Sequence, residues 1–211
     1  MPRRGPIRPW MVTLVLLLVV AVAAALSTKV VSTEEAQAST ADTFDPATYA
    51  SDHFDTDVVP YVEDNAEDLA TLVTALNGGA DESEYGNTSG ASSAYAFPVT
   101  FTATAGAPTP PTLPLTVEGI PEGTTVVLQV GPALNGTALR DVSGTVSFND
   151  FKNQLEYQQV GTEFNNLVKS GVLADLDVAS LEGKQLKITG AFLRVNPALV
   201  SVVPTSIEVV E

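Results

Sequence analysis

From Val12 to Leu26 the chain is almost wholly Val, Leu and Ala, inside an uncharged stretch that runs from Trp10 to Thr28. Nineteen residues at about 1.5 Å each make a helix of about 28 Å, close to the hydrocarbon thickness of a bilayer. Arg3, Arg4 and Arg8 precede it and no acid occurs before Glu34, which predicts an N-terminus on the cytoplasmic side with Trp10 at the interface. A secretory signal shares this pattern, and Ala23-Ala24-Ala25 and Ala36-Gln37-Ala38 offer small-x-small cleavage sites. The length of the span favours an uncleaved anchor. Under either reading the remainder leaves the cytoplasm. Residues 29–43 have no periodicity and read as a polar tether.

At Phe44-Asp45-Pro46 the pattern changes. Asp45 as N-cap and Pro46 at the first helical position predict a short helix, with Phe44, Tyr49 and Phe54 available for packing. Val58, Val62, Ala66, Leu69, Val73 and Leu76 recur at spacings of 4, 4, 3, 4 and 3, one apolar stripe that predicts a second helix from Val58 to Leu76. Asp57 is placed to cap it, Pro60 falls in its first turn, and Asn77-Gly78-Gly79 stops it. Residues 77–93, rich in Gly, Ser, Asn and Asp, predict a long loop.

The period then shortens to two. Tyr95, Phe97, Val99, Phe101 and Ala103 alternate with smaller or polar residues and predict a strand. A Pro-rich crossing from Ala107 to Pro114 leads to strands at Leu115–Val117 and Thr125–Val130, joined by a turn at Pro121-Glu122-Gly123. Val142–Ser147 reads as a further candidate strand. A third helix is predicted from about Phe148, with Ser147 and Asp150 as a capping box. Its apolar residues fall on two sides: Phe148, Phe151 and Leu155 against Tyr157, Val160, Phe164, Leu167 and Val168. This predicts a helix held between two layers, or one bent near Gly161. Strands follow at Leu186–Phe192 and Thr205–Val210.

The order is α+β: helices, three strands, a helix, two strands. A helix between the third and fourth strands is the signature of a small Greek-key barrel of OB type. The predicted organisation is a transmembrane signal-anchor at 1–28, a linker at 29–43, an N-terminal helical subdomain at 44–92 and an OB-like barrel or sheet domain at 93–211.

Charge and composition narrow the chemistry. The 211 residues contain no Cys and a single His. This excludes a disulfide scaffold, a thiolate metal site, a Cys nucleophile and a lipid-modified cysteine, and leaves little for a zinc site or a Ser-His-Asp triad. From residue 27 on, 7 basic residues face 25 acidic ones, a net charge of −18. Such a surface repels polyanions, so no nucleic-acid partner is expected. No catalytic pair, metal set or cofactor motif stands out. His53 sits among Asp52, Asp55 and Asp57 without a second ligand of its kind.

Arg140 is the first cation after Lys29 and is followed by Asp141. It reads as a guanidinium clamp tying its own domain together, or as an anchor for a ligand carboxylate, phosphate or hydroxyl. Asn149, Asn153 and Gln154 supply planar amides suited to sugar hydroxyls, or simply a solvated face. Arg140, Asp141, Asn149, Asn153 and Gln154 are thus the candidate ligand-binding residues.

The blocks Phe44–Tyr49, Tyr85-Gly86, Gly131-Pro132, Gly136–Asp141 and Phe148–Gln154 resemble those of a bacterial family of predicted periplasmic lipoproteins of unknown function, over about residues 44–211. The resemblance implies an OB-like domain with a small helical domain, and an accessory role beside sugar ABC transporters. It carries no catalytic residues. The chain departs from the family in lacking the lipoprotein cysteine and in having Thr-rich sequence around Phe101–Thr104 where the family has Gly-x-Gly. The expected function is a membrane-tethered, extracytoplasmic binding or accessory module without enzymatic activity. A carboxylate-based hydrolase of the cell envelope is the alternative, and an OB-type nucleic-acid binder the third reading.

Overall fold

The computed structural model describes residues 44–90 and 93–210. The proposed anchor and linker lie outside the described residues. Among the described residues no helix is long and apolar enough to cross a membrane.

The first helix, α1 (Pro46–His53), starts as its sequence dictates: the Asp45 carboxylate accepts from the Ala47 N–H, with Pro46 in the first turn. The chain does not leave the helix at Asp57. It continues through a π-helical turn, Phe54–Val58, directly into α2 (Val59–Asn65). In that turn the Val59 N–H reaches back five residues to the Phe54 carbonyl. The wider turn leads directly into Pro60, whose ring has no N–H to continue the regular ladder. The single helix expected over Val58–Leu76 is therefore two. Ala66 adopts ψ 120, extended backbone, and ends α2. Glu67–Asp68 form a two-residue strand, β1, and Asp68 then caps α3 (Leu69–Asn77) by accepting from the Thr71 N–H. Five of the six residues of the stripe, Val58, Val62, Leu69, Val73 and Leu76, are buried, and Ala66 is partly so. Helical spacing in the sequence did not reveal the cap inside it.

The strands are β2 (Ala96–Ala105), β3 (Thr112–Val117), β4 (Thr125–Gln129), β5 (Gln185–Leu193) and β6 (Leu199–Val210). They run β1-β2-β3-β4-β6-β5, and β5 pairs back onto β2, so β2 to β6 close into a barrel. β4 and β6 are parallel and the other barrel pairs antiparallel. Alternation puts Phe97, Val99, Phe101, Ala103, Leu186, Ile188, Val200 and Val202 in one core with Leu69, Leu72 and Leu76 of α3. Burying each of these side chains other than Ala103 contributes ~1.5–3 kcal/mol. β3 begins before the expected crossing ends. Pro114 is paired with Val127 on β4 only, while the β2 side of the ladder starts at Leu115. The missing N–H thus falls where no second strand needs it.

Val142–Ser147 is not a strand. A short helix, α4 (Ala138–Asp141), runs into a turn at Gly144, whose φ of 68 no β-branched residue would tolerate. The third helix begins later than expected. Ser147 and Asp150 do form a capping box, but on a 3-10 turn at Phe148–Asp150; Phe151 is extended, and α5 (Gln154–Ser170) starts anew with Asn153 as its cap. Phe148 and Phe151 are thus not on the helix, and Leu155 is 64% exposed. α5 has one buried face, Tyr157, Val160, Gly161, Phe164, Asn165 and Val168, in place of the two apolar sides expected. It packs against α1, with Phe164 meeting Phe54 at 6.1 Å.

Candidate functional site

Arg140 and Asp141 lie in α4, inside the protein. Arg140 is 6% exposed. Its Nε donates to Asp141 Oδ1 at 2.7 Å and its Nη2 to Oδ2 at 3.0 Å, a bidentate pair between neighbouring residues. Nη1 reaches the Tyr157 carbonyl at 3.4 Å, and the guanidinium carbon sits 3.7 Å from the centre of the Tyr157 ring. Asp141 also accepts from the Thr137 hydroxyl at 2.6 Å and the Tyr157 hydroxyl at 3.3 Å. Burial raises the Tyr157 hydroxyl above its ordinary pKa, and the Asp141 charge adds to the effect. Every strong donor of Arg140 is used within its own domain, as expected of a clamp.

The other candidate residues are placed apart from this cluster. Asn149, Asn153 and Gln154 are exposed on the 3-10 turn and the start of α5. Asn153 is engaged as the helix cap through Oδ1. His53 stacks on Tyr49 and contacts Asp57 at 2.5 Å, and among the described residues no group of three or more His, Asp or Glu side chains is placed to hold a metal.

The cluster braces the loop joining β4 to α4. Gly131 and Gly136 take φ of 87 and 89, so the strand end turns sharply at both ends of this loop. From inside, Asp141 holds Thr137, and the Asn165 amide donates to the Gly136 carbonyl at 3.0 Å. From the barrel side, Gln129 grips the Asn135 backbone twice: its Oε1 accepts the N–H at 2.7 Å and its Nε2 donates to the carbonyl at 3.1 Å.

The outer side of the same loop forms one wall of a groove of about 290 Å³; the turn between β5 and β6 forms the other. Leu193, Val195 and Leu199 give it apolar walls, and Gln129, Asn135, Asn196 and Ser201 supply polar groups. The Asn135 amide and the Ser201 hydroxyl make no hydrogen bond to any described residue, and Asn196 uses only its Oδ1, which accepts the Ala198 N–H at 2.9 Å. No charged side chain lines the groove. Sequence reasoning missed it because its two walls, from residues 129–138 and 193–201, are far apart in the chain. The signal within reach was the pairing of Gln129 with an Asn-Gly turn a few residues on.

Comparison with known families places this architecture. A family model described as predicted periplasmic lipoprotein (DUF2291) matches residues 18–208. The chain belongs to this family. Membership implies an extracytoplasmic, membrane-associated protein whose function is not known. Among solved structures, the chain is similar to an OB-fold protein from Thermotoga maritima, with 17% identity and a TM-score of 0.65 over 80% of this chain and all of that one. At that identity the likeness shows the fold, an OB-like closed barrel with helices. No curated protein matches the chain. Unlike a lipid-modified member of the family, this sequence has no Cys to carry the lipid.

Proposed function

We propose that the protein is a non-enzymatic binding or accessory module, held at the outer face of the membrane by the apolar segment 10–28 and working beside a sugar ABC transporter. The carrying observation is the uncharged groove between the β4–α4 loop and the β5–β6 turn. Its free amides and hydroxyl suit a small neutral ligand with several hydroxyls, and its apolar walls suit the carbon face of such a ligand. The bracing of the loop by Arg140, Asp141, Asn165 and Gln129 supports a preformed site. In this reading Arg140 and Asp141 shape the wall and do not touch the ligand. Asn149 and Gln154, beside the capping Asn153, supply a second polar surface exposed to a partner protein. The excess of acid over base in residues 27–211 argues against nucleic acid.

Calorimetric titration of the full chain in detergent with a panel of neutral monosaccharides tests this. Saturable binding that is lost in an Asn135→Ala/Asn196→Ala variant is the expected result. Absence of binding across the panel, or binding indifferent to that variant, refutes the groove. Crosslinking in membranes followed by purification tests the partner: a transporter subunit is expected. A carboxylate hydrolase keeps one observation in its favour. Glu63 and Glu208 both line a second groove of about 360 Å³, together with Lys187. Glycosidase activity abolished by Glu63→Gln would favour it.

A further inference from the structure

β6 changes neighbours along its length. Through Val202 it is hydrogen-bonded to β4, ending at the pair Leu128 with Val202. From Val203 onward it is bonded to β5 alone. β4 has by then turned away, with Gln129 paired to Thr112 of β3. Among the described residues nothing bonds the second edge of Ser206–Val210. A strand directs alternate N–H and C=O groups to each side, so this edge presents open backbone donors and acceptors.

Natural sheets blunt such edges with Pro, Lys, bulges or a covering element. β6 does so only at the start of its free stretch, where Pro204 stands beside an irregularity at Thr189/Gly190. Beyond it, Ser206-Ile207-Glu208-Val209-Val210 contains neither Pro nor Lys, and its register with β5 is regular. Val209 and Val210 are 48% and 42% exposed. Glu208, at the centre of the edge, forms no ion pair with its register partner Lys187.

We infer that the open edge of β6, Ser206–Val210, docks an extended segment of another protein, which adds a strand to the sheet and sets a Lys or Arg opposite Glu208 between apolar β-forming residues. Charge selects this occupant. A second copy of the chain running antiparallel about the centre of the edge would place Glu208 opposite Glu208, and like charges directly opposed are destabilising. Both copies would also carry the −18 of residues 27–211. A basic segment reverses both terms. The backbone ladder supplies the affinity, and the facing side chains supply the selectivity. The inference holds whatever the uncharged groove binds, since that groove and this edge share no residue; Ser206 and Glu208 do line the second groove.

The test is amide hydrogen exchange on the full chain in detergent, with a capped heptapeptide alternating Val and Lys as the probe. Excess peptide is expected to slow exchange within Ser206–Val210 by roughly tenfold or more. The same peptide N-methylated on one edge, unable to complete the ladder, leaves exchange unchanged. Glu208→Lys abolishes protection by the Lys peptide and gains it from a matching heptapeptide that alternates Val and Glu. Equal protection by the N-methylated peptide, protection centred elsewhere, or indifference to Glu208→Lys overturns the inference. Protection that grows with protein concentration without peptide overturns the occupant in favour of a second copy.

Discussion

Replacing Arg140 with Met keeps the aliphatic stem and removes the guanidinium. Four contacts go: the bonds to Asp141 at 2.7 and 3.0 Å, the bond to the Tyr157 carbonyl at 3.4 Å, and the cation over the Tyr157 ring. The Asp141 side chain, 3% exposed, is left as a buried charge without its counter-ion. Breaking a buried pair from one side costs about 3–5 kcal/mol. The Thr137 and Tyr157 hydroxyls still donate to Asp141, at 2.6 and 3.3 Å, which puts the cost near the low end. We expect about 3 kcal/mol, and, at roughly 2–4 °C per kcal/mol for a chain of this size, a Tm lower by about 6–12 °C.

The double variant Arg140→Met/Asp141→Leu sharpens the reasoning. With both charges gone no buried ion is stranded, so the double variant should be more stable than Arg140→Met alone, with a coupling of about 2 kcal/mol. Chemical denaturation of the four members of the cycle, followed by far-ultraviolet circular dichroism, measures this. A loss below about 1 kcal/mol for Arg140→Met, or additive effects in the double variant, would refute the clamp. Ligand contact would then become the better reading of Arg140.

Four other outcomes follow from the same structure. Burial raises the hydroxyl pKa of Tyr157 and Tyr49 above the ordinary 10.0, so the stability they contribute is intact below pH 10 and is lost as pH rises through their folded values; a spectrophotometric titration in which all tyrosines ionise together at 10 in the folded protein would contradict this. Asp68→Ala removes the cap that separates α2 from α3 and should cost about 1 kcal/mol in denaturant unfolding, where a neutral result would mean the cap is idle. Gly190→Ala drives a Cβ into the Val203 carbonyl and within 2.9 Å of the Pro204 Cα, so the backbone of β6 must shift and Tm should fall; expression as a folded protein with unchanged Tm would show that the barrel closes differently. Intact-mass analysis of purified protein should retain residues 10–28, and a mature N-terminus near Ser27 or Ser39 would remove the anchor.

How far the sequence carried depends on the range of the interaction that decides each element. Asp45-Pro46 opens a helix through bonds within three residues, and the structure has it. The alternation from Phe97 to Ala103 survives because one face of β2 meets the core along its whole length. The OB-like barrel, though not its strand order, followed from the position of a helix between β4 and β5. The Val58–Leu76 stripe misled because burial sets which residues are apolar and says nothing of the backbone between them. Asp68 caps α3 only because β2 pairs with Glu67 and Asp68 and holds them extended. Val142–Ser147 looked like a strand because Val142, Ser143 and Val146 are buried. Its turn is fixed instead by Asn87, more than fifty residues away, whose amide donates to the Val142 carbonyl at 2.7 Å and to the Tyr61 hydroxyl at 2.8 Å.

The polar side chains of the interior gather where the fold braces one loop. Gln129, Arg140, Asp141 and Asn165 are all at least nine-tenths buried. Removing such groups from water costs free energy that an apolar core would not incur. Three of them bond directly to residues 135–137, and the fourth, Arg140, does so through Asp141. The loop they hold also includes two glycines at positive φ, which lose more backbone entropy on ordering than other residues. Asn165 keeps its Oδ1 without a partner while its Nδ2 holds Gly136, a further cost accepted at the same place. A loop that only joined β4 to α4 would need none of this, since connections on a protein surface tolerate motion and change in length. The expense concentrates behind one wall of the groove, and the open groups of Asn135, Asn196 and Ser201 stand along the groove itself. In the proposed binding reading this rigidity has a use, because a preformed wall spares a ligand the entropy of ordering it.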